Sequence, residues 1–253
     1  MILTLDIGNS TIKSIVYDRE DQVLYQHTSK TYKEADKQFY LEYFAEIEKA
    51  LTVSISKIIM SSVVPKITET VYETLSEVFK LPVINVDTSL AKHLNIELDK
   101  PEELGADFIA TAYAALERYQ QPTIIVDLGS ASKISVVDVD ETFLGGIIQP
   151  GIELMVKTLH QEIPHLPKID ISYPENIIGH DTVSSINSGI VMGTWYGMVG
   201  ITNQIEKQLA RKCVRLLTGG LSNLYKDKDD FIHLPDLVNE GLLAILRRYE
   251  LYE

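Results

Sequence analysis

A strand that ends in Asp-x-Gly and turns straight into a second strand occurs twice in this chain, and that repetition limits its fold more than any other feature of the 253 residues. In the first copy Ile2-Leu3-Thr4-Leu5 runs into Asp6-Ile7-Gly8-Asn9-Ser10, and residues from Ile12 to Tyr17 then alternate faces. In the second, Thr123 to Val126 runs into Asp127-Leu128-Gly129-Ser130 and continues as Lys133 to Asp138. Apolar alternation on both sides of a glycine turn reads as a pair of strands. Laying Asp127 on Asp6, an offset of 121 positions, places Gly129 on Gly8, Ser135 on Ser14 and Val137 on Val16. Shared identities in a shared strand-turn-strand order are the mark of an internal duplication.

The residues around the two turns predict helices and strands in alternation. Tyr40, Tyr43, Phe44, Ile47 and Leu51 recur at helical spacing from Lys37 to Ala50, and Lys57 to Val64 follows as a short apolar strand. Glu69 to Phe79 is a second helix and Pro82 to Val86 a further strand. Phe108 to Tyr119 carries an apolar stripe and joins the halves. In the second half, Phe143-Leu144-Gly145-Gly146-Ile147-Ile148-Gln149-Pro150-Gly151 reads as a glycine- and proline-punctuated turn before a helix over Ile152 to Leu159. His160 and His165 are expected in the loop beyond it, without the spacing of a metal site. Thr182 to Gln208 is helix-compatible but broken by Gly189, Gly193, Gly197 and Gly200, which suit either a dimer contact or close packing within the chain. Val214 to Leu217 is a strand ending at Thr218-Gly219-Gly220, and Glu240 to Tyr249 closes the chain as a helix. The expectation is an α/β protein whose halves, residues 1–115 and 116–253, are each a mixed sheet flanked by helices.

A net charge of -13 and the lack of any Lys/Arg run longer than Arg247-Arg248 argue against nucleic acid and anionic membranes as partners. The single cysteine, Cys213, rules out an internal disulfide. No signal-like N-terminus and no uninterrupted 18-residue apolar run is present, so a soluble cytoplasmic protein is expected.

A glycine directly after a strand lets backbone N–H groups approach a phosphate, and neighbouring Asn or Ser side chains add donors. Gly8, Asn9 and Ser10 fit that role. Asp6 at the strand tip is placed to hold hydrated Mg²⁺ on the phosphate side, since that ion prefers hard oxygen ligands and keeps its waters. An ordinary hairpin with a polar turn is the plain alternative. Asp107, beside Gly105 at the first turn of a helix, is the candidate base, the helix dipole keeping its carboxylate ionised and Gly105 leaving room for a substrate. It equally suits a helix-capping aspartate.

With these residues the chain resembles the type III pantothenate kinases, members of the acetate and sugar kinase, Hsp70 and actin superfamily. The likeness rests on Asp6 to Ser10, Ser61-Ser62-Val63-Val64-Pro65, Pro101 to Asp107, Asp127 to Ala131, Gly145 to Gly151, Asp181-Thr182, Ser188-Gly189 and Thr218-Gly219-Gly220. It implies two actin-like (ribonuclease H-like) domains, a homodimer, and transfer of the ATP γ-phosphate to the primary hydroxyl of pantothenate, the first step of coenzyme A synthesis. It further implies Mg²⁺ and a monovalent cation, K⁺ or NH₄⁺. By position Asp6, Ile7, Gly8, Asn9, Ser10, Thr11, Ile12, Lys13 and Ser130 would contact ATP, Asp107 would accept the proton, and Asp127 would bind the monovalent cation. Gly105, Ala106, Asp107, Phe108 and Thr182 would line the pantothenate site.

Three departures stand out. Where the family reads Gly-Ala-Asp-Arg this chain has Gly105-Ala106-Asp107-Phe108, so a guanidinium suited to an anionic substrate is missing. The family's tyrosine before the proline is Leu98, and its Gly-Thr-Ala-Thr-Thr turn reads Gly129-Ser130-Ala131-Ser132-Lys133, where Lys133 either adds charge near phosphate or points into solvent. Beside pantothenate kinase the departures leave two alternatives, a paralogue acting on another small alcohol and a catalytically weak nucleotide-binding regulator.

Overall fold

The computed structural model describes residues 1–252, with the backbone alone from residue 250, as two units. The first comprises Met1–Arg118 together with the chain from Leu237 on, and the second Tyr119–Asp236.

In the first unit β1 (Ile2–Ile7), β2 (Thr11–Tyr17) and β3 (Val23–Lys30) form an antiparallel meander. Strand β4 (Lys57–Ser62) runs parallel to β1 and β5 (Val83–Asn85) parallel to β4, giving the order β3-β2-β1-β4-β5. Parallel neighbours need crossovers, and helices α1 (Lys37–Ala50) and α2 (Pro65–Phe79) supply them. Helix α1 begins where the Asp36 carboxylate accepts from the Phe39 N–H at 3.0 Å, and it buries Tyr40, Phe44 and Ile47. Helix α2 starts four residues before Glu69 because Pro65 fits a first helical turn, where no donor is needed. Leu3, Leu5, Ile7, Ile12, Val16 and Met60 fill the core, each stabilising by about 2 kcal/mol when fully buried. A two-residue strand, β6 (Asn95–Ile96), precedes α3 (Ala106–Arg118).

The second unit repeats the plan. Strands β7 (Thr123–Leu128), β8 (Ala131–Val137) and β9 (Thr142–Pro150) form the meander, and β10 (Val214–Thr218) and β11 (Ile232–His233) extend it in parallel, in the order β11-β10-β7-β8-β9. Helices α4 (Ile152–Glu162), α5 (Thr182–Asn187) and α6 (Gly193–Leu209) accompany it, the last two joined by a π-turn over Ser188–Met192. Trp195 stacks on Tyr225 at 4.8 Å between ring centres within this core.

The glycine-rich segment expected as a turn is strand β9. Gly146 is needed there because a Cβ would stand 2.6 Å from the Ile134 carbonyl oxygen of β8, and Gly145 (φ 126°) sits at the bulge where the register shifts. His160 belongs to the last turn of α4 rather than to a loop, its Nδ1 2.9 Å from the Leu166 carbonyl oxygen. Helix α7 (Leu237–Tyr252) belongs with the first unit although it follows the second in sequence. It packs on α3 so closely that a Cβ on Gly241 would lie 1.8 Å from the Ala110 carbonyl oxygen. No described helix is long and apolar enough to cross a membrane.

The duplication is real, but its register differs from a constant offset of 121. Asp6 faces Lys13 across β1 and β2, whereas Asp127 faces Lys133 across β7 and β8, because the second turn is one residue shorter. Beyond the turn the offset is therefore 120, which puts Lys133 on Lys13 and Ile134, not Ser135, on Ser14. The rest of each meander obeys the shorter offset. The ladders shift at Val16/Tyr17 and at Val136/Val137, and Asp21 and Glu141 both turn with φ near 61°. Asp18 and Asp138 each close the following turn through a backbone N–H, to Gln22 and Thr142 respectively.

Candidate active site

The sequence-predicted residues of the first unit fall at the carboxyl ends of β1 and β4 and at the start of α3, where open α/β sheets bind ligands. Asp6 and Ile7 close β1, Gly8-Asn9-Ser10 make the turn, and Thr11, Ile12 and Lys13 open β2. The Gly8 N–H donates to the Thr11 carbonyl oxygen at 2.9 Å. Two further bonds steady the turn from outside. The Thr31 hydroxyl donates to the Gly8 carbonyl oxygen at 2.7 Å and the Thr31 N–H to that of Ser10 at 2.9 Å. Lys33 Nζ donates to Asn9 Oδ1 at 2.7 Å. Asn9, Ser10 and Thr11 are exposed, and Asp6 is half-buried beside them, a donor set of hard oxygens that suits Mg²⁺. Asp6 also pairs in register with the fully buried Ser61 of β4.

One residue at this site carried no sequence signal. Asn239 of α7 is 1% exposed and its amide donates to Thr4 Oγ1 at 2.9 Å and to the Lys13 carbonyl oxygen at 3.3 Å. It ties the C-terminal helix to both strands of the first turn, and only an Asn on the apolar face of an amphipathic helix could have marked it.

Asp107 lies in the first turn of α3, half-buried, after Gly105, whose carbonyl oxygen accepts the first helical bond from Ile109 at 3.1 Å. Asp107 Oδ1 accepts from the Phe108 N–H at 2.9 Å. The absence of a side chain at Gly105 serves this carboxylate directly, because a Cβ there would be 2.7 Å from Oδ1. Ala106 is buried, while Phe108 and Leu98 are half-buried. The N–H bond and the space at Gly105 fix where this carboxylate stands at the start of α3.

In the second unit Asp127 stands at the end of β7, next to the Gly129-Ser130 turn on which Ser130 is exposed. Its Oδ2 is 2.8 Å from Lys133 Nζ, with 16% of the Asp127 side chain and 15% of the Lys133 side chain accessible. Lys133 thus turns inward to the loop rather than into solvent. The other oxygen is hemmed by the Thr218-Gly219-Gly220 turn of neighbouring β10. Gly219 has φ +97°, and a Cβ on it would lie 2.4 Å from Asp127 Oδ1. The start of α4 closes the back of the loop, since a Cβ on Gly151 would lie 2.4 Å from the Ser130 carbonyl oxygen.

Thr182 opens α5 behind an Asp181–Ser184 capping box. It lines an open cavity of about 660 Å³ with Leu159, Gly179, Asp181, Ile186 and Ile190, a size common for small-molecule sites. Among the described residues no three His, Cys, Asp or Glu side chains gather as metal ligands.

A family model described as type III pantothenate kinase matches residues 2–204. A type III pantothenate kinase of Paramagnetospirillum magneticum is 34% identical over 254 residues, 98% of this chain and 97% of that protein. One from Listeria monocytogenes is 34% identical over 256 residues, again 98% and 97% of the two chains. Among solved structures, the ethanolamine utilization protein EutJ from Carboxydothermus hydrogenoformans superimposes with a TM-score of 0.57 at 15% identity, over 96% of this chain and 88% of that one. Likeness at such identity concerns the fold, which is the actin-like α/β fold expected from the sequence.

Proposed function

Because this chain belongs to the type III pantothenate kinase family, we propose that it transfers the γ-phosphate of ATP to the primary hydroxyl of pantothenate, opening coenzyme A synthesis. The observation that carries this reading is Asp107, a carboxylate fixed by the Phe108 N–H and by the space left at Gly105. Phosphoryl transfer asks a protein mainly to position groups and to neutralise charge. The turn from Asp6 to Lys13 supplies phosphate-side donors in the first unit, where Asp6 would hold Mg²⁺, and Asp107 accepts the hydroxyl proton. Mg²⁺, when bound, neutralises charge on the phosphate oxygens. The second unit offers Ser130 and Lys133 on its own loop. Gly105, Ala106 and Phe108 shape the acceptor side of α3. Use of ATP as the phosphate donor suits a cytoplasmic reaction.

The direct test is ADP release with ATP and Mg²⁺, with and without pantothenate. Turnover that depends on pantothenate is expected. Phe108 stands where the family carries an arginine, and Phe108→Arg is expected to lower the KM for pantothenate about tenfold, the size of one charged contact in a partly desolvated site. If the native protein ignores pantothenate and Phe108→Arg gains pantothenate-dependent turnover, the native acceptor is a different small alcohol, as Leu98 and Phe108 would then indicate.

We also propose a homodimer built on α6. Gly193, Gly197 and Gly200 share one helical face, and a Cβ at each would meet nothing within 4 Å among the described residues. Tyr196, 52% exposed, borders that face. Helices approach closely through such faces. A Cβ at Gly197 meets nothing within 4 Å among the described residues, so Gly197→Leu should raise helix propensity by about 1 kcal/mol, yet sedimentation velocity is expected to show the dimer replaced by monomer. A variant that melts higher and keeps the dimer mass would move the interface elsewhere.

A further inference from the structure

We propose that the Lys133 ammonium is the resident monovalent cation of the second loop, so that this protein needs no added K⁺ or NH₄⁺. The proposal rests on the kinase reading above and concerns how that enzyme holds its nucleotide. The carboxylate assigned to an exchangeable cation, Asp127, already has a cation on it, since Lys133 Nζ lies 2.8 Å from Oδ2. An ammonium group and a potassium ion carry the same charge at nearly the same size, so one position on Oδ2 cannot hold both. The other oxygen lies against the Gly219 backbone, where a Cβ would stand 2.4 Å from Oδ1. The charge this carboxylate calls for is thus already supplied by a tethered ammonium.

The placement of the lysine is fixed by the fold. Strand β8 pairs antiparallel with β7 so that residue 133 lies directly opposite Asp127, and its Nζ reaches Oδ2 with only 15% of the side chain accessible. The first loop has the same grammar, with Lys13 directly opposite Asp6. Both loops thus carry an acidic strand end faced by a lysine. What varies between them is the turn, which is one residue shorter in the second copy. A covalently held charge beside Ser130 lacks the translational cost of recruiting a free ion, and sodium or potassium concentration cannot displace it.

The test compares ions. MgADP affinity by titration calorimetry and the pantothenate-dependent rate are measured in KCl, NH₄Cl and tetramethylammonium chloride at equal ionic strength. For the native protein both are expected to agree within about twofold across the three salts. For Lys133→Ala, MgADP affinity is expected to fall about tenfold in tetramethylammonium and to return in KCl or NH₄Cl, as expected when a partly buried ion pair loses one partner and a free cation replaces it. A tenfold gain of the native protein on potassium overturns the proposal. So does a Lys133→Ala loss that is the same in every salt, which would make the lysine structural. Because the native ion series stands alone, failure of the variant to fold does not rescue the idea. Because nucleotide binding is read without an acceptor, a wrong acceptor alters only the rate arm.

Discussion

Asp107→Asn is expected to lower pantothenate-dependent turnover by about two to four orders of magnitude, the usual contribution of a positioned general base. MgADP affinity is expected to stay near that of the native protein. Asparagine keeps the oxygen that accepts from the Phe108 N–H, and it fits the space that Gly105 leaves beside Oδ1. What it removes is the capacity to take a proton from the acceptor hydroxyl. The same substitution separates the base from the helix cap. Asparagine is as good as aspartate at a helix start, and the lost charge at the end of the helix dipole is worth about 0.3–1 kcal/mol. A capping role alone therefore predicts a slightly lower melting temperature and nearly intact kcat. A catalytic role predicts the reverse proportion. Coupled ADP release, with thermal melting on the same preparation, reads both.

Much of this site was legible because its parts are local. Asp6 to Ser10 and Asp127 to Ser130 announce themselves through apolar strands that end in a glycine turn, and such patterns need no knowledge of distant contacts. Gly105 and Asp107 stood out for the same reason. What stayed hidden depends on partners far away in sequence. Strand β3 exposes most of its length, including Val23 and Leu24, so it lacks the alternation that marks a half-buried strand. The glycines of β9 look like turn residues until β8 lies against them. The apolar stripe of α7 shows that the helix buries a face, and it says nothing about which unit receives that face. The one-residue difference between the two turns is likewise invisible in a list of identities, since matches at an offset of 121 are as easy to find as those at 120. Lys133 changed meaning for this reason. Only the true register sets it opposite Asp127, and there it answers a substitution that sequence alone left open between two readings.

Glu206→Gln is expected to cost the second unit about 3 kcal/mol at neutral pH. Glu206 ends α6 on its inner side, 7% exposed, and gathers four donors. Arg215 Nη2 lies 2.8 Å from Oε2 and Nε 3.3 Å from Oε1, Lys212 Nζ is 2.9 Å from Oε2, and the Cys213 N–H is 3.1 Å from Oε1. Burial alone would push this carboxyl up, but the Arg215 and Lys212 hydrogen bonds and the Cys213 N–H outweigh it and hold it at about 2, against an ordinary 4.5. A carboxyl depressed on folding stabilises the protein above its unfolded value and stops doing so as pH falls through its folded one. The contribution is therefore whole above pH 4.5 and is lost on the way down to about pH 2. Glutamine keeps the shape but has one acceptor oxygen and no charge, and it leaves Arg215, itself 11% exposed, without a counter-ion. Urea unfolding of both proteins from pH 7 to pH 2 should show a gap of about 3 kcal/mol that closes only below pH 4.5. A gap that stays constant to pH 2 would mean that the carboxylate charge contributes nothing and that the cost lies in packing. The sequence offers no sign of this, because a glutamate in the polar register of a long helix ordinarily faces water. Here the strand that α6 covers brings a largely shielded arginine beneath it, and the pair fixes the last turn of α6 to β10.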